Sequence, residues 1–480
     1  MKETLLFSSQ TDRSKKKKKS RKILFLGIGI GIVIVLGWFF LRGGTQKTTI
    51  LLNAVSIAEA TMKFLPIQQN TKDLIEGANT MAHSVLKADG VKRRYLVLLQ
   101  NHYELRPGGG FLGQYAVVEV LDGAVTKLFV EDANLLDQRI TALVPAPYPF
   151  KQMIGIKNWK FRDSNFSPDF PTNVEKIRYF YGLSGGNKQF DGVVAINAEV
   201  LDRVLEITGP ITVPGYATQF TSDNASWKLQ EIVEKAYLGD DVPAEVKEHR
   251  KNILKDMAPI IIEKLLSLNA IPKLVDFAMT QMQQKNIMLW FSDPVLQEVA
   301  KKNKWDGTVD VGWDGDYIMA VDSNMGALKS DYYMKRSMEY TVDITGEIPT
   351  ATVIYTYEHT APYGDWRTSD YHSYLRLYVP QGSVLLSREM VGSPITKDEF
   401  GKTYFGMKVD VLIGGSTKGK IVYQLPEKFK NSDNYRLLIQ KQSGLGDIPL
   451  RLTLKTPEGE FSQTDTLKKD AAFQLSPETP

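Results

Sequence analysis

Residues 107 to 118 read Pro107-Gly108-Gly109-Gly110-Phe111-Leu112-Gly113-Gln114-Tyr115-Ala116-Val117-Val118. Gly108, Gly110 and Gly113 fall at GxGxxG spacing soon after an apolar strand signal, Tyr95 to Leu99. A dinucleotide site needs a helix next, so that the amides at its N-terminus face the pyrophosphate. Here the continuation is a strand. A nicotinamide or flavin site is therefore excluded, and the lysine of a P-loop is missing as well. The glycines serve instead to allow positive φ in a tight loop after Pro107.

Outward from that segment, Phe111 to Leu121 and Val125 to Val130 read as strands joined at Asp122-Gly123, a hairpin signal. Upstream, the Tyr95 to Leu99 strand runs into a loop from Asn101 to Gly110. Downstream, past Pro145, Pro147 and Pro149, the pattern predicts a helix from about Thr172 to Tyr181 and a strand from Val193 to Ile196. Asp191-Gly192 introduces that strand, and Gly209-Pro210 stops the helix that follows it. Helical spacing dominates Trp227 to Gln284, with breaks at Pro243 and Pro272. Ile287 to Phe291 and Tyr317 to Val321 restore strand character, so residues 92–328 read as a mixed α/β domain. Near Asp331 the composition changes, and nine of the 21 tyrosines fall between 331 and 380. They lie in alternating runs such as Thr352 to Tyr357 and Tyr374 to Tyr378, which predict a β-sandwich over 329–460. The polar residues 461–480 read as a flexible tail.

The N-terminus sets the location. Ile23 to Leu41 is apolar or Gly throughout, and 19 residues at helical rise just span a ~30 Å hydrocarbon layer. A cleaved signal peptide would have a shorter apolar core and a small-residue cleavage site. Trp38, Phe39, Phe40 and Arg42 suit an interfacial anchor instead. Residues 1–22 hold nine basic and two acidic side chains, a net of +7. By the positive-inside rule that segment is cytoplasmic, 23–41 is a transmembrane helix in the lipid bilayer, and the bulk of the chain is extracytoplasmic. Residues 43–91 read as a juxtamembrane helical stalk, with Ile50, Leu51, Ala54, Val55, Ala58, Met62 and Leu65 at helical spacing.

The overall charge of +4 thus hides a body at −3, since 50 basic and 53 acidic residues remain after the first 22. That balance gives no broad footprint for nucleic acid. With no cysteine there is no disulfide, thiolate metal site or cysteine nucleophile. The five histidines (His83, His102, His249, His359, His372) lie in separate segments, without the spacing of a metal site.

Two loops concentrate chemistry. One is Glu104-Leu105-Arg106-Pro107-Gly108-Gly109-Gly110-Phe111; the other runs from Phe161-Arg162-Asp163 through Pro168-Asp169-Phe170-Pro171. Arginine's planar fork suits phosphate oxygens, and aspartates suit a hard cation. Arg106 and Arg162 are therefore phosphate-binding candidates, and Asp163 and Asp169 metal candidates. Pro107, Gly109, Gly110, Pro168, Asp191 and Gly192 read as loop-shaping. The competing and favoured reading is structural: Arg106 and Arg162 pair with Asp163, Asp169, Glu104 or Asp191 and lock the loops.

With these motifs the chain resembles an uncharacterised bacterial family of single-pass membrane proteins, a domain of unknown function. The resemblance rests on Gln100-Asn101 with Glu104 to Pro107 and Gly109 to Phe111, on Arg162 to Asn165 with Ser167 to Pro171, and on Asp191 to Ile196. It continues through Thr208 to Ile211 and Arg250-Lys251 to Ser323-Asn324 and Lys329 to Tyr333, and covers roughly 92 to 460. His102, Tyr103 and Gly108 depart from the family pattern. A fainter similarity links the α/β part to the LytR-CpsA-Psr cell-envelope ligases, through the anchor, an Arg-Asp loop after a strand, and the pattern from Asp191 to Pro214. Those ligases move glycopolymers from polyprenyl-pyrophosphate carriers to the cell wall with arginines and a Mg²⁺-binding aspartate. That similarity implies Arg162 with Asp163 as counterparts, and Mg²⁺ as cofactor, in such an enzyme.

Two functions of different class follow. One is an envelope binding or structural protein whose partner is an envelope glycan or another protein. The other is a phosphotransferase on a lipid-linked substrate, with Arg106 and Arg162 on the pyrophosphate.

Overall fold

The structure, a computed structural model, describes residues 69–238, 253, 256–257, 260–261, 264, 271–430 and 435–475. The expected cytoplasmic segment, the anchor at 23–41 and the helical stripe at 47–65 lie outside the described residues. Among those described, no helix is long and apolar enough to cross a membrane.

The first part of the chain forms α1 (Gln69–Leu86), β1 (Arg93–Arg106), β2 (Gly109–Leu121), β3 (Ala124–Asp132), α2 (Ala133–Gln138), α3 (Phe150–Ile154) and α4 (Phe170–Leu183). It continues with β4 (Gly192–Asn197), α5 (Glu199–Thr208), β5 (Ile211–Thr212), β6 (Gln219–Phe220), α6 (Ala225–Leu238), α7 (Ile271–Gln283), β7 (Ile287–Phe291) and α8 (Pro294–Lys302). Five strands make a mixed sheet in the order β3-β2-β1-β4-β7, in which β1 and β4 are parallel and β7 is antiparallel to β4. The second part is all β: β8 (Asp316–Val321), β9 (Met334–Asp343), β10 (Thr350–His359), β11 (Tyr371–Pro380), β12 (Val384–Glu389), β13 (Ile395–Glu399), β14 (Lys402–Val411), β15 (Ser416–Gln424), β16 (Tyr435–Ile439), β17 (Ile448–Thr456), β18 (Gly459–Leu467) and β19 (Ala471–Leu475). These strands form two six-stranded sheets, β12-β15-β10-β9-β17-β18 and β13-β14-β11-β8-β16-β19.

Local chemistry explains the elements that the pattern locates well. Asp122 and Gly123 both take positive φ, 51° and 72°, as a two-residue hairpin turn requires. Asp169 caps α4 by accepting from the Thr172 amide, and Pro171 sits in the first turn, where its missing N–H costs nothing. Gly209, at φ 75°, ends α5. In β10 the burial alternates residue by residue, placing Ala351, Val353, Tyr355 and Tyr357 inward.

Three boundaries differ from expectation. The span Asn101 to Gly110 is not a loop: β1 runs on to Arg106, turns at Pro107-Gly108 and returns as β2, because its polar residues find distant partners described below. Tyr317 to Val321 belongs to the all-β part, where β8 is buried at all six positions and lies between β11 and β16. Finally, 461–480 is not a free tail throughout. β18 pairs with β17 and β19 with β16, so polar side chains there face solvent along sheet edges while the backbone is hydrogen-bonded on one side.

The chain divides into two compact units. Of the described residues, one takes 69–93, 118–128 and those between 201 and 280. Its core gathers Leu205, Ile211, Val213, Phe220 and Ala225, and Asp202 ties α5 to the start of α6 by accepting from the Ser226 amide at 2.8 Å. The other takes Arg94–Val117, Phe129–Val200 and the described residues between 281 and 475. It contains the β1–β4 pair, whose core includes Leu96, Leu98, Phe161, Phe170, Ile177 and Val193, and both six-stranded sheets. Those two sheets share one core built from Tyr340, Val353, Leu375, Phe405, Ile421, Leu437 and Leu452 among others. Burying apolar area at ~25 cal/mol per Å² makes this shared core the main stabilising term of the unit.

Candidate functional site

Both chemistry-bearing loops lie in the second unit. Arg106 ends β1 with its side chain only 4% exposed. Its Nη1 donates to the Asn324 carbonyl at 2.8 Å, and its Nη2 donates to Glu104 Oε1 at 3.1 Å and Asp163 Oδ1 at 3.3 Å. The guanidinium also lies 5.4 Å from the centre of the Phe111 ring. Burial works against the charge, but Glu104 and Asp163 outweigh it and hold the guanidinium above its ordinary pKa.

Arg162 occupies a short 3₁₀ turn, Phe161–Asp163, and is more open, at 37% exposure. Its Nη1 donates to Asn134 Oδ1 at 2.8 Å, while its Nε lies 3.6 Å from Asp163 Oδ2 and 3.8 Å from Asp137 Oδ2. Asp163 thus faces two arginines at once. Asp137 accepts from the Phe161 amide at 2.8 Å, and burial pushes its carboxyl up to about 6. Nothing in the spacing pointed to Asn134 or Asp137, since α2 lies 28 residues before Arg162. The one available signal is polar residues in a short amphipathic helix.

The two metal candidates serve separate jobs. Asp169 Oδ2 accepts from the Thr172 amide at 3.0 Å and from its hydroxyl at 2.6 Å, and Oδ1 accepts from the Val309 amide at 3.1 Å. With Asp163 held by arginines and Asp169 by a helix cap, the pair does not fit a shared Mg²⁺ ion, which demands free, near-octahedral oxygen ligands. Among the described residues, no group of three or more His, Asp or Glu is placed to hold a metal ion.

The loop-shaping residues show why the turn is closed. A Cβ on Gly108 would meet Asn173 Nδ2 at 2.4 Å and the Asn165 carbonyl at 3.0 Å. Gly109 takes φ 126°, and Gly110 O accepts from Asn165 Nδ2 at 2.6 Å. Pro107 and Pro168 are both buried. Asp191 Oδ2 accepts from the Arg94 amide at 2.7 Å, which fastens the start of β4 to β1, and a Cβ on Gly192 would press on the Tyr95 ring at 2.9 Å.

Gln100 and Asn197 are partners at the carboxyl end of the parallel β1–β4 pairing, where β4 stops and β1 runs on. In open α/β sheets that edge is where ligands bind. Here the chain's own segment from Gln440 to Leu445 fills it. Gln442 Nε2 donates to the Arg106 carbonyl at 3.0 Å and to the Asp322 carbonyl at 2.8 Å. Asn197 Nδ2 donates to Ser443 Oγ at 3.1 Å, and the Gly444 backbone lies against the Gly109 carbonyl. Lys441 is fully enclosed, donating to the carbonyls of Gln284 and Gln442, and burial pushes its amine down to about 8. Lys285 beside it pairs with Asp470 at 2.8 Å. The sheet edge is therefore a packed polar seam.

The same seam continues into the all-β part. The Leu105 amide donates to Asp331 Oδ2 at 3.1 Å, and the Asn324 amide donates back to the Leu105 carbonyl at 2.9 Å. Asp331 and Asp322 both receive Arg336, at 2.6 and 2.9 Å. Tyr371 and Tyr357 hydroxyls complete that buried network.

Residues 90–237 match the family model described as "Protein of unknown function (DUF4012)". No curated protein matches the chain. Among solved structures, the chain is similar to the Lin1025 protein of Listeria innocua at 14% identity and a TM-score of 0.25, over 44% of this chain and 79% of that one. It is also similar to protein gbs0355 of Streptococcus agalactiae at 13% identity and a TM-score of 0.29, over 46% and 76%.

Proposed function

We propose that the chain is a membrane-anchored, extracytoplasmic protein of the bacterial cell envelope that acts by binding and scaffolding, not by phosphotransfer. The anchor and orientation rest on the apolar run Ile23 to Leu41 and the basic segment before it. The non-catalytic part rests on one observation: the carboxyl edge of β1 and β4 is filled by Gln440 to Leu445, and the arginine beside it is spent on Glu104, Asp163 and Asn324.

Charge argues the same way. Around Arg106 and Arg162 stand Glu104, Asp137 and Asp163, with Lys329 3.7 Å from Glu104, so three cations face three carboxylates. A pyrophosphate arriving there would find compensated charge and would have to displace the buried Arg106–Asp163 pair, whose disruption costs several kcal/mol.

The test uses the full-length chain. In intact cells, Ser387→Cys places the single thiol on the exposed strand β12, and an impermeant maleimide should label it without lysis. Labelling only after lysis contradicts the orientation. The purified protein with Mg²⁺ and a polyprenyl-pyrophosphate-linked glycan should release no polyprenyl monophosphate, the leaving group when the phosphoanhydride is broken. Turnover that disappears in Arg106→Lys would establish the phosphotransferase instead.

A further inference from the structure

A cleft of about 470 Å³ lies between the C-terminal half of α4 and the loop that follows it, within the second unit. That is within the size range of small-ligand sites. Its lining from the helix is Tyr179, 46% exposed, with Gly182 and Leu183, and Gly186 follows from the loop. Gly186 cannot carry a side chain, because a Cβ there would lie 2.2 Å from the Tyr181 ring. Asn187, Lys188 and Gln189 complete the lining.

That loop is held by several hydrogen bonds. Arg94 Nη1 donates to the carbonyls of Asn187 at 2.5 Å and Gln189 at 3.1 Å, and its guanidinium lies 4.4 Å from the centre of the Phe190 ring. Arg178 Nε donates to the Lys188 carbonyl at 3.0 Å and its Nη2 to Gln189 Oε1 at 3.3 Å, while it rests over the Trp290 ring. Asn187 Oδ1 accepts from the Gln189 amide at 3.0 Å. These bonds engage the carbonyls of Asn187, Lys188 and Gln189 and the side-chain oxygens of Asn187 and Gln189. Left over are donors: Asn187 Nδ2, Gln189 Nε2 and Lys188 Nζ make no hydrogen bond among the described residues. Lys176, whose Nζ lies 4.8 Å from the Trp159 ring centre and 5.3 Å from that of Tyr179, is not part of the lining. The acids nearby in sequence are Glu175 and Asp191, and Asp191 is already engaged by the Arg94 amide.

From this arrangement we infer that the cleft binds an acidic saccharide unit: a sugar ring against Tyr179, with its carboxylate or phosphate on Lys188 and the two amides. An exposed aromatic face suits the apolar side of a sugar ring, and fixed N–H donors with an ammonium suit an anion. A loop held in place before binding loses little entropy when ligand arrives. The inference rests on the envelope-binding reading above and names its ligand class.

Isothermal titration of the full-length protein in detergent, with trigalacturonate, a glycerol-phosphate hexamer and uncharged chitotriose, tests it. One or both anionic probes should bind, more weakly as salt rises, and the stronger of the two identifies the acid group. Lys188→Ala and Tyr179→Ala should each weaken that binding about ten-fold or more with an unchanged melting temperature, since both side chains are exposed. Chitotriose should bind no better than the variants bind the anions. Absence of binding by both anionic probes, or equal binding by wild type and both variants, overturns the cleft. A parallel pull-down on isolated cell-wall material separates the two levels. Retention by wild type and variants alike keeps the envelope-binding reading and discards this cleft, whereas no retention by any of them discards both.

Discussion

Arg106 and Asp163 are 57 positions apart in sequence, yet their charged groups meet at 3.3 Å with both side chains under 5% exposed. A buried pair of this kind contributes little relative to apolar packing, but removing one member strands the other. Arg106→Ala leaves Asp163, Glu104 and the Asn324 carbonyl without their donor, and should lower unfolding free energy by about 3–5 kcal/mol in urea denaturation. Arg162→Ala touches a half-exposed guanidinium and should cost no more than ~1 kcal/mol. Equal effects from the two would show that Arg106 is not the buried member that matters.

Asp316 is fully buried and accepts from the hydroxyls of Tyr340 at 2.6 Å and Tyr435 at 2.7 Å, and among the described residues it makes no ion pair. Burial raises its carboxyl to about 6. The folded state then holds a proton that the unfolded state, near 4, has already released. Stability contributed by this group is complete below about pH 4 and falls as pH rises through 6, by on the order of 3 kcal/mol. Asp316→Asn removes that titration. The stability difference between variant and wild type, followed by denaturation from pH 4 to 7, should move in the variant's favour across that window; a flat difference contradicts the buried, uncompensated carboxylate.

Gly109 combines φ 126° with three oxygens around the place a Cβ would take: Gln100 Oε1 at 2.5 Å, and Asn197 Oδ1 and Ser443 Oγ at 2.8 Å. Gly109→Ala should therefore destabilise by about 2 kcal/mol or more, combining backbone strain with displaced buried amides. Gly113, in the same strand, has open space at its Cβ position. Gly113→Ala should stay within ~0.5 kcal/mol of wild type. Melting temperatures of the two variants decide the matter, and the order cannot reverse if the hairpin is packed as described.

These contrasts show which parts of the molecule a linear reading reaches. The Asp122-Gly123 turn, the Gly209 stop and the Thr352 to Tyr357 alternation are set by neighbours in sequence, so the pattern finds them. The extension of β1 through Asn101 to Glu104 is set by partners far away: Leu105 meets Asp331 across 226 residues, and Arg106 meets Gln442 across 336. Gln440 to Ser443 is polar and looks like surface loop, yet it is buried because its amides and amine have backbone carbonyls to bond. Arg106 and Asp163 were visible as a charged pair of candidates. Their burial, which turns them from ligand-binding groups into a structural lock, depends on that same distant segment.

The parallel pairings of β8 with β16 and β9 with β17 have a consequence for the order in which the molecule can assemble. A nascent chain that ends before Tyr435 holds β8 with only β11 beside it, and β9 with only β10. Both sheets would then present an open central edge, the kind of edge that pairs with foreign strands. Contacts spanning more than a hundred residues also form slowly. Neither sheet can therefore close until β16 and β17, at 435–456, have been made, and the two edges stay open to wrong pairing until then.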